Sequence, residues 1–262
     1  MKRFLFILKR IAQITAVVGI VVLFIVTLGA AVKSSNARVC SAVQIHLDFI
    51  PEYQLIEQSE ILSIAQNVID TPIVGKSLLS LDLKALEKTI KKAPYIENAE
   101  AYIDQKQVLH VSVVQKRPFL RIINNDGVSY YLASDQTMMP LHDNFTVSVP
   151  LATGYVKTLN SNRDDSIVQN QLWSLVTEIN ADTLWSALID HVEVLENGTF
   201  KLIPKFNHHE VYFGQYDATA SKRLLNLKVF YRQVLNLQGW DKYKAINIEL
   251  DNQVIATKRD SI

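Results

Sequence analysis

The chain has 262 residues, 48% of them hydrophobic and 20% charged, with 27 basic against 26 acidic side chains and a single cysteine. That balance excludes a disordered polyelectrolyte and gives no electrostatic case for a nucleic-acid partner, and one cysteine supports neither an internal disulfide nor a thiolate zinc site. The apolar residues are, however, unevenly spread.

Ile11 to Val32 is a run of twenty-two residues without a charge. At about 1.5 Å per residue it matches the roughly 30 Å hydrocarbon core of a bilayer, so a single transmembrane helix is expected over 11–32. Lys2, Arg3, Lys9 and Arg10 precede it without an acid, whereas Lys33 and Arg38 beyond it are offset by Asp48 and Glu52. The positive-inside rule then holds residues 1–10 in the cytoplasm and exports the rest. A cleaved signal peptide is the competing reading, since Gly29, Ala30 and Ala31 offer small residues near the end of a run that is longer than the usual signal core. Without residues 1–32, 27 bases less 4 leave 23 against 26 acids, a net charge of −3 for the exported part. Residues 33–41 read as a linker. Cys40 is expected to be incidental within it, with an intermolecular disulfide as the alternative.

In the exported part, Val43 to Phe49 alternates apolar and polar residues as a half-buried strand does, and Pro51 ends it. A helix follows, with Ser59 as the expected cap, Glu60 in its first turn and Ile61, Ile64, Ala65 and Val68 on one face. Asp70 to Gly75 breaks it. Asp82 caps a second helix carrying Leu83, Leu86 and Ile90 on its apolar side, with Lys88, Lys91 and Lys92 near its end and Pro94 as a stop. Two strands come next, near Ala99–Ile103 and Val108–Val114, joined by the turn Asp104–Gln107. Pro118 marks an edge or break in a strand that continues through Ile122. The order strand, helix, helix, strand, strand predicts a small α+β domain over 42–122.

From Asn124 onward short strands dominate. Asn124–Gly127 and Asn197-Gly198 are turn signals, and strands are expected at Tyr130–Leu132, Phe145–Val149, Ile189–Leu195, Phe200–Ile203, Val211–Phe213, Ala245–Leu250 and Val254–Thr257. Helical spacing appears in Ile167–Ile179 and in Leu224, Leu227, Tyr231, Val234 and Leu235 after Asp217. This predicts a second domain over 123–258, a mixed sheet with two packed helices, and a tail at 259–262.

Motifs of catalysis and cofactor binding are missing. The six histidines show no metal-binding spacing, and adjacent residues of His208-His209-Glu210 point to opposite faces of a strand, so a solvated strand start is expected there and no metal. There is no G-x-S-x-G elbow, Walker loop or dinucleotide fingerprint, so no cofactor and no small-molecule substrate are expected. Asp164-Asp165 reads as a loop and helix cap. Asn144-Phe145-Thr146 and Asn197-Gly198-Thr199 match the glycosylation pattern, which matters only in a eukaryotic secretory pathway. What remains is an anchored pair of small domains suited to binding proteins.

Gly75–Asp82, then Lys92–Ala99, then Leu109–Pro118 resemble a POTRA domain. With Asp126-Gly127, Tyr131-Leu132, Pro150–Gly154, Gly214, the Lys222–Leu235 helix and Ile246–Ile255 behind it, the whole chain resembles the bacterial cell-division FtsQ/DivIB family. It departs from that pattern at Tyr95, at Gln115-Lys116 and in a turn at Asp104–Gln107 without proline.

The resemblance implies an α+β protein with one membrane helix, a POTRA domain and a second β-rich domain. It implies a non-enzymatic scaffold of the divisome, in the cytoplasmic (inner) membrane at the septum with its domains outside the cytoplasm. Its partners would be FtsB/DivIC-like and FtsL-like single-pass proteins. A partner strand would add to a free C-terminal edge made of Ile248, Leu250, Asn252, Gln253, Val254, Ile255, Ala256, Thr257 and Lys258. Unpaired N–H and C=O groups on such an edge accept a strand while alternate side chains set specificity. The rival readings are a POTRA-bearing adaptor of protein export or outer-membrane assembly, and a membrane-anchored cell-wall hydrolase.

Overall fold

The computed structural model describes residues 15, 17–27, 38–48, 50–69, 72–142, 146–157, 163–206 and 209–259, with the side chains of 163–166 excepted. Residues 15 and 17–27 are helical and exposed; the rest of the expected membrane span lies outside the described residues. Among the described residues no helix is long and apolar enough to cross a membrane. The chain divides into two compact units, one ending at Gln115 and the other running from Lys116 onward, with Ile50–Leu55 grouped with the second.

Among the described residues from 38 onward the first unit has three strands, β1 (Ala42–Leu47), β2 (Ile96–Ile103) and β3 (Val108–Gln115), and two α-helices, α1 (Gln58–Ile69) and α2 (Leu83–Ile90). The strand order is β1-β3-β2, with β1 parallel and β2 antiparallel to β3. Period-two alternation decides the faces: Leu109, Val111 and Val113 are buried with Ala99, Ile61, Ala65, Leu86 and Ile90. Burying each large aliphatic side chain here stabilises by about 1.5–3 kcal/mol, so this small sheet holds only because both helices cover one face.

Asp82 caps α2 as expected, its carboxylate accepting from the Ala85 N–H at 2.9 Å. Ser59 does not cap α1. That helix starts at Gln58, two residues before the start a Ser59 cap would give, Glu60 reaches back to the Glu57 N–H at 3.0 Å, and the Ser59 hydroxyl donates to the Glu57 carboxylate. Cys40 is buried at 1% exposure, with its thiol on the Ala42 carbonyl, so it is a core residue and out of reach of a partner thiol.

The second unit carries a nine-stranded sheet in the order β12-β11-β10-β9-β8-β7-β4-β5-β6. Its strands are β4 (Pro118–Asn124), β5 (Ser129–Ala133), β6 (Met138–Pro140), β7 (Leu151–Gly154), β8 (Ile189–Val194), β9 (Phe200–Pro204), β10 (Glu210–Gly214), β11 (Tyr243–Asn247) and β12 (Ile255–Lys258). β4, which sequence pattern continued from the first sheet, pairs here with β5 and β7. The helices α3 (Arg163–Ala181), α4 (Thr183–Leu188) and α5 (Ala220–Phe230) supply the rest. α5 runs on through a π-helical turn, Tyr231–Leu235, that keeps Tyr231 and Leu235 both buried.

The strand expected at Phe145–Val149 is not found among its described residues; the Val147 N–H is met by the Tyr131 hydroxyl at 3.1 Å rather than by a neighbouring strand, and β7 begins only at Leu151. Gly154 lets β7 close against β8. Its φ is +96°, and a Cβ there would stand 2.2 Å from the Val194 carbonyl oxygen.

Candidate functional site

The two ends of the nine-stranded sheet differ. β6 is three residues long and finishes on Pro140, which cannot donate to an added strand. β12 lies at the other end, paired on one side only, antiparallel to β11. In the first unit, the outer strand β2 has its Ala101 N–H taken by the Glu87 carboxylate at 2.8 Å.

The direction of the β12 backbone groups follows from one bond. The Arg259 N–H donates across the pair to the Lys242 carbonyl at 2.9 Å. Backbone groups alternate along a strand, so Thr257 and Ile255 turn theirs toward β11, while Ala256 and Lys258 turn theirs toward the open side. Side chains alternate at right angles to this. Val254 and Ala256 pack on the core, whereas Ile255, Thr257 and Lys258 are exposed, Ile255 at 50%.

Of the other expected edge residues, Leu250 is exposed, Asn252 takes a positive φ in the turn, and the Gln253 N–H donates to the Leu250 carbonyl. Ile248 is a correction. It is fully buried and its N–H donates to the Tyr212 carbonyl at 2.9 Å, because β11 parity puts it on the core side with Ile246; it supports the edge without lining it.

Arg223 holds this turn from behind, and the sequence reading missed it. It is 4% exposed on the core side of α5, beside Ala220, Leu224 and Leu227. Its guanidinium donates to the Glu249 carbonyl at 3.2 Å, to the Gln215 carbonyl and to Asp217 at 3.1 Å, and lies over the Phe213 ring. The signal was available: an arginine at i+3 and i−4 from apolar residues of one helix face is charged where the pattern demands a core residue. Gly214 leaves room for the same turn, since a Cβ there would sit 3.1 Å from Glu249.

His209 corrects another expectation. It shares strand parity with Val211 and Phe213, so it is buried at 2% exposure, its Nε2 within 2.7 Å of the Tyr231 hydroxyl. Burial, with the nearby Arg259 charge adding to it, holds its pKa below the usual range; burial pushes the Tyr231 hydroxyl upward. His208 lies outside the described residues, as do Asn144, Phe145 and the side chains of Asp164 and Asp165. Asn197 serves the β8–β9 hairpin, accepting from the Thr199 N–H and hydroxyl.

The structure brings together one histidine pair that spacing could not reveal. His46 and His110 sit on neighbouring strands with ring nitrogens 3.2 Å apart, and Asp104 takes the far nitrogen of His110. Among the described residues no group of three His, Cys, Asp or Glu side chains could hold a metal ion.

Among the described residues four carboxyls depart from ordinary acidity, and all move downward. The Val108 N–H draws Asp104 down, the Lys228 ammonium at 2.5 Å draws Asp182 down, the Thr219 hydroxyl draws Asp217 down, and for Asp135 the Thr137 hydroxyl and N–H outweigh partial burial. On the sheet face, Lys201 clamps Glu193 at 2.6 Å and Glu210 at 3.1 Å.

Residues 117–257, more than half of the chain, match the family described as FtsQ/DivIB, C-terminal related, and residues 38–114 match the POTRA-like domain. No curated protein matches the chain.

Proposed function

From a chain that belongs to the FtsQ/DivIB family of cell-division proteins, with a POTRA-like domain ahead of its C-terminal domain, we propose a membrane-anchored, non-enzymatic scaffold of the divisome. It is held in the cytoplasmic membrane by residues 11–32 and works outside the cytoplasm at the septum. Its partners are FtsB/DivIC-like and FtsL-like single-pass proteins, and one of them adds a strand to β12.

The observation behind this reading is the unpaired side of β12. Ala256 and Lys258 turn N–H and C=O groups outward on an edge that carries no proline, and Ile255 and Leu250 offer apolar side chains beside it. A strand laid there satisfies those groups, and the Arg223 contacts hold the preceding turn in the geometry that presents them. Leu250, Asn252, Gln253, Val254, Ile255, Ala256, Thr257 and Lys258 form the proposed contact.

Co-purification of the full-length protein with its FtsB/DivIC-like partner tests this. Ala256→Pro removes an outward donor and no donor facing β11, and is expected to weaken the complex by about tenfold or more, roughly one lost and unreplaced hydrogen bond plus ring clash with the incoming strand. Unchanged capture by a folded Ala256→Pro protein contradicts strand addition.

A further inference from the structure

We propose that the end of the first unit where the chain enters it, built around Val39, Val74 and Leu79, rests on the surface of the bilayer. The inference rests on the anchor reading above and extends it from the helix to the domain.

The entering chain is sewn to the loop between α1 and α2. Val39 bridges Ser77, the Cys40 N–H donates to the Lys76 carbonyl at 2.9 Å, the Gly75 N–H to the Cys40 carbonyl at 2.7 Å and the Leu78 N–H to the Arg38 carbonyl at 3.1 Å. Within this small structure Cys40, Ile73 and Leu81 point into the core, whereas Val39, Val74 and Leu79 are 42%, 51% and 67% exposed. Single exposed aliphatics are ordinary on any protein; here three gather on one bridge and its flanking turns.

Two further facts select lipid as the occupant. The first is reach. Only six residues, 33–38, separate the apolar run from Val39, and a chain extends at most about 3.6 Å per residue, so Val39 stands within roughly 25 Å of the end of the membrane span. The second is charge. The Ser41 N–H and hydroxyl donate to the carbonyls of Gln107 and Lys106, which brings the β2–β3 turn to the same end. Exposed Arg38 and Lys106 thus flank the aliphatic residues, while the one carboxylate of that turn, Asp104, is occupied by the Lys106 and Val108 N–H groups and by His110. Aliphatic side chains flanked by two exposed cations suit the headgroup layer of an anionic membrane.

The test uses the full chain reconstituted into vesicles of phosphatidylethanolamine and phosphatidylglycerol, with a polarity-sensitive fluorophore on Leu79→Cys or on Glu97→Cys. Buried Cys40 stays unlabelled. Glu97 is exposed and lies beside the Ile96–Gln115 pair, about 20 Å along the sheet from the Ala42–Val108 pair. The Leu79 probe is expected to shift to the blue and to lose intensity when nitroxide-labelled lipid is included, and the Glu97 probe to do neither. A water-like Leu79 probe in protein firmly integrated into the vesicles overturns the proposal and leaves the anchor reading standing. A blue shift that nitroxide lipid does not quench also overturns it, because protein and not lipid then covers the site. Protein that fails to integrate at all overturns the anchor reading, and this proposal with it.

Discussion

Arg223 owes its importance to what would be left behind without it. Its guanidinium satisfies the Gln215 and Glu249 carbonyls and Asp217 while almost fully buried. Arg223→Ala strands those acceptors, so a loss of about 2–4 kcal/mol is expected in urea melts, with Arg223→Lys recovering little because a point charge cannot span the fork. His209 makes the second domain acid-sensitive. Its folded pKa lies below the value of about 6.5 it has when unfolded, so the unfolded chain binds the extra proton. Stability is therefore complete above about pH 6.5 and falls as pH drops below it, by at most about 1.4 kcal/mol per unit. His209→Gln keeps a polar partner for Tyr231 and does not titrate; melts at descending pH should show a shallower decline than wild type. His191, half-buried and shifted the same way, supplies the slope that persists. Both residues left a signal in the spacing: Arg223 lies on the apolar face of its helix and parity assigns His209 to the core, but the polar neighbours His208 and Glu210 of the latter suggest a solvated strand start.

At the scale of elements, helices and strands with a clean period read directly from the sequence. Leu86 and Ile90 on α2, the Leu109, Val111 and Val113 row of β3, and the Asp82 cap all follow from it. Short members of the large sheet did not. β6 and β7 have three and four residues, too few for a period to emerge, and α4 has six. β7 is legible only through its tertiary neighbours, β4 and β8, and through Gly154. Gly154→Ala drives a Cβ into the Val194 carbonyl, so a loss of about 3 kcal/mol is expected, whereas Gly127→Ala, also at positive φ but with open space around it, should lose about 1 kcal/mol. Parity along β12 separates two prolines in the same way. Thr257→Pro deletes a donor facing β11 and should lower stability by about 1–3 kcal/mol, while Ala256→Pro should melt close to wild type; equal destabilisation by both would contradict the assigned direction of the edge.

For the whole molecule, the sequence separates a cationic, apolar start from residues 33–262 of net charge −3, and the family match covers residues 117–257 behind a POTRA-like domain. The edge itself was legible in kind, as alternation near the C-terminus, but not in direction, because which N–H groups face outward depends on the β11–β12 register and on the bulge between Tyr243 and Ala245. A folded protein altered at one outward-facing position of this edge is thus the sharpest probe of the proposed scaffold role. The measurement is microscopy of cells depleted of this protein and supplied with either the wild-type chain or Ala256→Pro at equal level. The wild-type chain should restore septation and the variant should leave filaments; depleted cells that divide normally, or a variant that restores division fully, would contradict the account.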